Sequence, residues 1–285
     1  MKPATARLLI WCPDSTGIIA AATGFLAEHH ANILEADQHS DPADGAFCMR
    51  LEFESEGMDL SRDEFEDAWK PVAQRFAMDW RIAYSTDRKR MAIMVSKQDH
   101  CLQDLLYRKR CGELDVDVPL VVSNHPDWSD YLESQGITSF TLPITKSNKD
   151  KQEERLLQLL EEYRIDFVVL ARYMQILTAN VVNQLPSRII NIHHSFLPAF
   201  AGGRPYHQAH KRGVKVVGAT AHYVTTDLDA GPIIAQDTVR INHRDAVDDL
   251  VRKGRDLERT VLASAVRLHV EDKILVHQNR TIVFD

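Results

Sequence analysis

Residues 188–198 read Arg-Ile-Ile-Asn-Ile-His-His-Ser-Phe-Leu-Pro, an apolar strand that ends in polar side chains. Successive side chains of a strand alternate between its two faces, so Asn191 and His193 point in the same direction. In an open parallel sheet, ligands bind just beyond the carboxyl ends of the strands. The stretch therefore predicts a parallel α/β sheet with a catalytic site where this strand ends.

A second strand and the loop after it supply a carboxylate. Residues 216–224 form an apolar run that contains His222, and Asp229 lies in the loop that follows. Amide, imidazole and carboxylate groups suit the attack of water or an amine on a carbonyl: the carboxylate steers protons, while the amide and imidazole stabilise the oxyanion. We therefore expect Asn191, His193 and Asp229 to be catalytic, with no need for a nucleophilic Ser or Cys.

Further apolar runs lie on the amino-terminal side of this stretch. Runs that do not alternate with polar residues are typical of strands buried on both faces. Together with helical patterns such as residues 149–163, they predict a doubly wound, mostly parallel sheet. The runs span residues 91–95, 118–122, 139–142 and 167–170. Towards the carboxyl terminus, residues 246–270 predict a long amphipathic helix and residues 280–284 a further strand.

The first 84 residues have a different pattern. Two helical segments interrupt four strand patterns, and Pro71 lies within the second helix, where it would kink or break it. The order βαββαβ is that of the ferredoxin-like split motif. We expect an N-terminal domain at residues 1–84, a polar linker at 85–89 and a catalytic domain at 90–285.

Composition excludes several classes of function. The chain has 285 residues, 44% of them hydrophobic, which suffices for two cores. A net charge of −7 without a long Lys/Arg run argues against a nucleic-acid partner. The absence of a long apolar segment and of a signal-peptide pattern argues against a membrane partner and predicts a cytoplasmic location. The four scattered cysteines predict buried or free thiols rather than disulfides or a zinc site.

The paired motifs resemble a known family. The segment from Asn191 to Pro198, followed by the His222 strand and the Leu-Asp-Ala-Gly sequence at 228–231, is similar to the formyltransferase superfamily that uses 10-formyltetrahydrofolate. Within that superfamily, the motif that runs through Phe200, Gly203 and Arg204 into residues 205–209 is most similar to the formyltetrahydrofolate deformylases. The resemblance covers the whole chain and implies the formyltransferase fold for the second domain.

The resemblance implies hydrolysis of 10-formyltetrahydrofolate to tetrahydrofolate and formate, a reaction linked to one-carbon balance and purine biosynthesis. Asp229 would take or relay the proton of the attacking water, and protonated His193 and the Asn191 amide would stabilise the oxyanion. The resemblance implies a folate as the substrate, and no cofactor or metal is expected. The residues expected to bind folate are Arg172, Met174, Ile176, Leu177, His222, Thr226 and Asp227.

Two other functions stay open. One is formyl transfer to a small amine such as glycinamide ribonucleotide. In glycinamide ribonucleotide formyltransferase, the phosphate of this substrate binds a glycine-containing loop. Here the loop at residues 96–101 has no glycine and an added carboxylate, which disfavours a phosphate. The other is a folate or amino-acid sensor without catalysis, against which the complete set of Asn191, His193 and Asp229 argues.

The N-terminal domain resembles the ACT domain, a module that often binds amino acids. Its entry loop contains Asp14, Thr16 and Gly17, for which we consider an effector site and a simple capped turn equally open. ACT domains commonly associate edge to edge, so oligomerisation competes with regulation as the role of this domain. We expect a homo-oligomer.

The remaining histidines are assigned lesser roles. His207, His210 and His222 could be imagined as a metal site, but no carboxylate or cysteine completes a zinc set. His194 would point to the face opposite His193 and is expected to be structural. For His222, orienting the Asp229 loop and acting directly are both open.

Overall fold

The computed structural model describes residues 3–199 and 205–284, so that Phe200, Gly203 and Arg204 lie outside the described residues. The chain forms two compact units. The first comprises the chain up to Arg88 together with residues 271–277 and the last residues from Ile282. The second comprises residues 89–270 and 278–281. The tail at 271–277 thus belongs to the first unit, whereas the sequence analysis counted it with the second.

The part of the first unit up to Arg88 contains six elements in the order βαββαβ. Its strands pair in the order β2-β3-β1-β4, and each described pair is antiparallel. This arrangement confirms the ferredoxin-like fold. The elements are β1 (Thr5–Pro13), α1 (Ile18–Glu28), β2 (Ile33–Asp41), β3 (Ala46–Glu54), α2 (Arg62–Arg75) and β4 (Asp79–Tyr84).

Helix α2 continues through Pro71. The ring removes one backbone hydrogen bond, but the helix buries Phe65, Trp69 and Ala73 on both sides of the proline, so packing holds it together. Its start is fixed by a capping box, in which the Ser61 hydroxyl and the Glu64 side chain each bind the other residue's backbone N–H.

A buried arginine joins the tail to the sheet of the first unit. Arg50 on β3 is only 1% exposed. Its guanidinium lies 2.5 Å from Glu35 Oε2, and its Nε donates to the Asp272 carbonyl at 3.1 Å. Arg81 Nη1 lies 2.5 Å from Asp272 Oδ1. The tail at residues 271–277 is therefore an integral part of this unit.

The second unit contains a larger sheet flanked by helices. Its strands are β5 (Arg90–Val95), β6 (Asp117–Ser123), β7 (Ser139–Thr141), β8 (Phe167–Leu170), β9 (Ile189–His193), β10 (Val216–Tyr223) and β11 (Ile233–Arg240). Its helices are α3 (His100–Arg110), α4 (Ser129–Ser134), α5 (Lys149–Glu162), α6 (Ala179–Gln184), α7 (Pro205–Arg212) and α8 (Val247–Val270). Two further strands near the carboxyl terminus are β12 (Ile274–His277), which belongs to the first unit, and β13 (Arg280–Val283).

The strand order of this sheet is β11-β10-β9-β8-β5-β6-β7. Strands β5 to β9 pair in parallel, while β10 and β11 are antiparallel additions at one edge. The chain winds from β5 to β7 in one direction and then returns to β8 on the other side of β5. The mostly parallel, doubly wound sheet is thereby confirmed, and its topological switch point lies between β5 and β8.

Amphipathic helices cover the sheet with their apolar sides. Leu156, Leu159 and Val181 from α5 and α6 join a core that includes Ala92 and Val122 on the strands. Helix α8 packs against β9, β10 and α3. In the part of the chain that the structure describes, no helix combines the length and the apolarity needed to cross a membrane.

Candidate active site

Strands β9 and β10 place the predicted catalytic side chains next to each other. Asn191 and His193 lie on one face of β9, and His222 of β10 is the cross-strand partner of Asn191. The β10–β11 ladder shifts register between Ala221 and His222, an irregularity that re-aims side chains near active sites. Asp229 reaches the same place from the following loop, with its Oδ1 3.3 Å from His193 Nδ1. The structure thus brings all three sequence-predicted residues together.

The loop that carries Asp229 has a tightly defined backbone. Asp229 has φ 55, in the left-handed region that Asp tolerates better than most residues. Two residues later, a Cβ on Gly231 would lie 1.9 Å from the Tyr223 carbonyl oxygen. Only glycine allows the loop to pass this close to β10, so packing requires the glycine of the Leu-Asp-Ala-Gly pattern.

His222 fixes the orientation of the Asn191 amide. Its Nδ1 lies 2.8 Å from the Tyr223 carbonyl oxygen, so Nδ1 carries the proton. Burial lowers the pKa of His222, which favours the neutral ring with an unprotonated Nε2. Asn191 Nδ2 then donates to that Nε2 at 3.2 Å. One amide N–H of Asn191 is thereby held in place, and the second remains for a ligand.

Charges near the site favour an ionised Asp229. The hydrogen bond from His193 holds the pKa of Asp229 below its ordinary value, and this effect outweighs burial. The neighbouring His194 is different, because burial lowers the pKa of its ring to about 4. His193 Nε2 is buried and has no hydrogen-bond partner among residues 3–199 and 205–284. The site therefore combines a carboxylate with an imidazole nitrogen that is ready to bind a ligand.

These side chains line one cavity of about 310 Å³. All ten catalytic and folate-binding residues predicted from the sequence lie in its wall. They are Arg172, Met174, Ile176, Leu177, Asn191, His193, His222, Thr226, Asp227 and Asp229. Met174 and Ile176 are large apolar side chains that are 59% and 61% exposed, and Leu228 is 64% exposed. Apolar surface of this kind around a cavity mouth is typical of a ligand-binding site.

Arg172 lies in the cavity wall, but its guanidinium is engaged elsewhere. Its Nε and Nη2 donate to Gln98 Oε1 at 3.1 and 2.9 Å, and its Nε lies 3.4 Å from Glu258 Oε2. The backbone N–H groups of Met174 and Val224 are also already used, by Ser96 Oγ and the Ile189 carbonyl.

The sequence analysis missed the buried partners of Arg172. Glu258 is 1% exposed and lies near His100 and Tyr206 as well as Arg172. A signal was present, since Glu258 lies four residues before the buried Leu262 and so falls on the apolar stripe of α8. A charged residue at such a position predicts a buried ionic contact.

One group of side chains offers ligand atoms for a metal ion among the described residues. Atoms of His100, Cys101 and Glu258 all lie within 4.8 Å of one another. Burial raises the pKa of the Cys101 thiol, which keeps it protonated, and the Arg172 guanidinium lies beside Glu258. Both features oppose a cation. His207 and His210, considered with His222 in the sequence, are exposed on α7.

The entry loop of the first unit is exposed at Asp14, Thr16 and Gly17. The Asp14 N–H donates to the Gly45 carbonyl at 2.9 Å, which ties the loop to the turn between β2 and β3. Gly17, the N-cap of α1, has φ 99, a conformation that strains any other residue.

Comparisons with known proteins agree with this geometry. Residues 6–56 match the ACT domain family, and residues 89–266 match the formyl transferase family. The formyltetrahydrofolate deformylase of Synechocystis sp. is 55% identical over 100% of both chains. That of Bacillus subtilis is 47% identical over 98% of this chain and 93% of its own. The crystal structure of a formyltetrahydrofolate deformylase from Pseudomonas syringae pv. tomato has a TM-score of 0.98 at 47% identity, covering 100% of this chain and 96% of that one.

The chain contains both an ACT domain and a formyl transferase domain, and it matches the Synechocystis relative over the full length of both proteins. The chain belongs to the formyltetrahydrofolate deformylase family.

Proposed function

We propose that this chain hydrolyses 10-formyltetrahydrofolate to tetrahydrofolate and formate in the cavity between β8, β9 and the Asp229 loop. One observation carries the proposal: Asp229 Oδ1 lies 3.3 Å from His193 Nδ1, and Asn191 is locked beside them by His222. This is the arrangement that attack of water on a formyl carbon requires.

In the proposed mechanism, Asp229 accepts a proton from water as the oxygen attacks the formyl carbon. The oxyanion that forms is stabilised by the free amide N–H of Asn191. His193 assists in its doubly protonated form, with Nδ1–H donating to Asp229 and Nε2–H available for the oxyanion. The C–N10 bond then breaks as N10 gains a proton, and formate leaves. No oxidation state changes, so no redox cofactor is needed, and because Asp229 serves as the base we propose that no metal is needed either.

The folate is proposed to lie against the apolar residues of the cavity. Met174, Ile176 and Leu177 would contact the faces of the ring, while Thr226 and Asp227 would bind its polar edge. His222 acts as a positioning residue, because its bonds hold Asn191. Arg172 would contribute through its backbone, since its guanidinium is bound by Gln98.

The activity is tested by formate release from 10-formyltetrahydrofolate, measured with formate dehydrogenase. We expect one formate for each folate consumed, and the same stoichiometry when glycinamide ribonucleotide is added. The control is the same mixture without protein, which corrects for spontaneous loss of the formyl group. Formylation of the ribonucleotide at the expense of formate would instead identify a formyltransferase.

We further propose that the N-terminal unit joins subunits and responds to a free amino acid at Asp14, Thr16 and Gly17. The loop is exposed and its conformation depends on Gly17, as a ligand loop with a defined shape requires. Binding there would favour one arrangement of a homo-oligomer and so change the rate.

Gly17→Ala is expected to abolish the change in formate release caused by the effective amino acid, because alanine strains the loop at φ 99. Gly57→Ala is the matched control, since Gly57 has φ 96 and lies in another exposed loop. A panel of free amino acids is assayed on both variants, with sedimentation for the oligomer. A response that Gly17→Ala and Gly57→Ala alter equally would place the effector elsewhere.

A further inference from the structure

A buried polar cluster adjoins the active-site cavity, and we call it the Arg172 cluster. It consists of Arg172, Gln98, Glu258, His100 and Tyr206. Glu258 is its centre: Oε2 lies 2.7 Å from His100 Nε2, and Oε1 accepts from the Tyr206 hydroxyl at 2.7 Å. Burial alone would raise the pKa of Glu258, but the bond from His100 and the charge of Arg172 bring it below its ordinary value. The cluster therefore holds an ionised pair.

The Arg172 cluster occupies the topological switch point of the sheet. Strands β5 and β8 are parallel neighbours, and Ser96 and Arg172 lie just beyond their carboxyl ends. Doubly wound sheets bind ligands in the crevice that opens at this point. Here the Ser96 N–H donates to the Arg172 carbonyl at 3.3 Å, and the Arg172 guanidinium reaches over to Gln98. The Arg172 side chain therefore connects the segments that follow β8 and β5, and the cavity is lined from β8 and β9.

The strained backbone at Arg172 indicates that its side chain makes compensating interactions. Arg172 has φ 64, a left-handed conformation in which glycine is unstrained and arginine is strained. The residue is only 8% exposed. A strained backbone and a buried charge are both unfavourable unless the guanidinium makes interactions that compensate for them.

The cluster also borders the catalytic imidazole. The ring centroids of His193 and His194 are 5.1 Å apart, and that of His194 lies 6.2 Å from that of Tyr206. Arg172 itself lines the cavity that contains His193 and Asp229. A nucleophile larger than water, attacking beside Asp229, would need space on this side.

We infer that the Arg172 cluster restricts the formyl acceptor to water by filling the crevice that an amine acceptor would occupy. The inference rests on the proposed function. With water, an O–C bond forms, the C–N10 bond breaks, and N10 receives a proton that Asp229 took from water. A primary amine would follow the same course: an N–C bond forms, the amine proton passes to N10, and a formamide leaves with tetrahydrofolate. The same catalytic groups serve both reactions, so space selects between them.

The test measures the ratio of formylated amine to formate in one reaction mixture that contains 10-formyltetrahydrofolate and glycinamide at mildly alkaline pH. Arg172→Gly relieves the backbone and opens the crevice, and we expect the ratio to rise at least about tenfold over that of the unsubstituted protein. Arg164→Gly is the matched control, because Arg164 has φ 49 and is exposed on the turn after α5. Its ratio should equal that of the unsubstituted protein.

A second variant guards against loss of folding. Arg172→Gly leaves the Glu258 carboxylate buried without its guanidinium, whereas Arg172→Gly with Glu258→Gln removes both charges. A ratio unchanged in folded protein of both variants would overturn the inference. The ratio is independent of the overall rate, so a purely structural role for Arg172 would not move it. Absence of formate release from the unsubstituted protein would contradict the proposed function instead.

Discussion

Replacement of Asp229 by asparagine is expected to lower kcat at least about 10²-fold while KM for the folate changes little. Asparagine keeps the size of the side chain and tolerates the left-handed backbone at φ 55. It cannot accept a proton from water, so the attack loses its base. Steady-state formate release at several folate concentrations gives both constants.

Asp227→Asn is the control for the Asp229 experiment. Asp227 lies in the same loop and lines the same cavity, but is exposed. We expect this change to act on KM rather than kcat, as for a residue that only binds the substrate. If Asp229→Asn kept kcat within about threefold of the original value, Asp229 would have no part in the proton transfer.

Asn191→Ala and His193→Ala are each expected to raise the activation barrier by about 2 to 4 kcal/mol. Both side chains are proposed to stabilise one oxyanion, so the double variant should lose less than the sum of the two. The measurement is a double-mutant cycle on kcat/KM for formate release.

Two surface variants serve as controls for the cycle. Asn183→Ala on α6 and His210→Ala on α7 remove the same types of side chain at exposed positions, and neither should change the barrier. Strict additivity of Asn191→Ala and His193→Ala would show that they act on different steps. A loss confined to KM would place both in ground-state binding.

Local pattern was sufficient to predict much of the fold and the arrangement at β9. The separation of two residues between Asn191 and His193 sets them on one face of a strand, whatever surrounds it. The apolar runs predicted the parallel strands for a similar reason, since burial on both faces excludes alternation. The roles of these residues in catalysis stay predictions until the variants are measured.

Contacts between distant parts of the chain could not be predicted in this way. Arg172 was expected to bind folate, yet its guanidinium bonds to Gln98, which precedes it by 74 residues. The left-handed backbone of Arg172 could not be predicted from the sequence, because glycine is the residue type that indicates such a conformation. Glu258 falls on the apolar stripe of α8, but its partners come from α3, α7 and the segment after β8.

The tail at residues 271–277 shows a related limit. Strand β12 pairs with β13 in a sheet of its own, and its sequence does not indicate to which unit it belongs. The choice is made by Asp272, which is 1% exposed and paired with Arg81. These contacts form only once the chain has returned to the first unit.

Because the tail returns to the first unit, that unit is discontinuous in sequence. The catalytic unit is inserted into it rather than appended after it. Proteolytic cleavage between residues 85 and 89 would therefore yield two fragments that remain associated, because the tail of the second still pairs with Arg50 and Arg81 of the first. A fragment expressed from Lys89 onward would carry Asp272 without either arginine. The domain order of such a chain is not a simple end-to-end arrangement, since segments of the first unit flank residues 89–270 on both sides in the sequence.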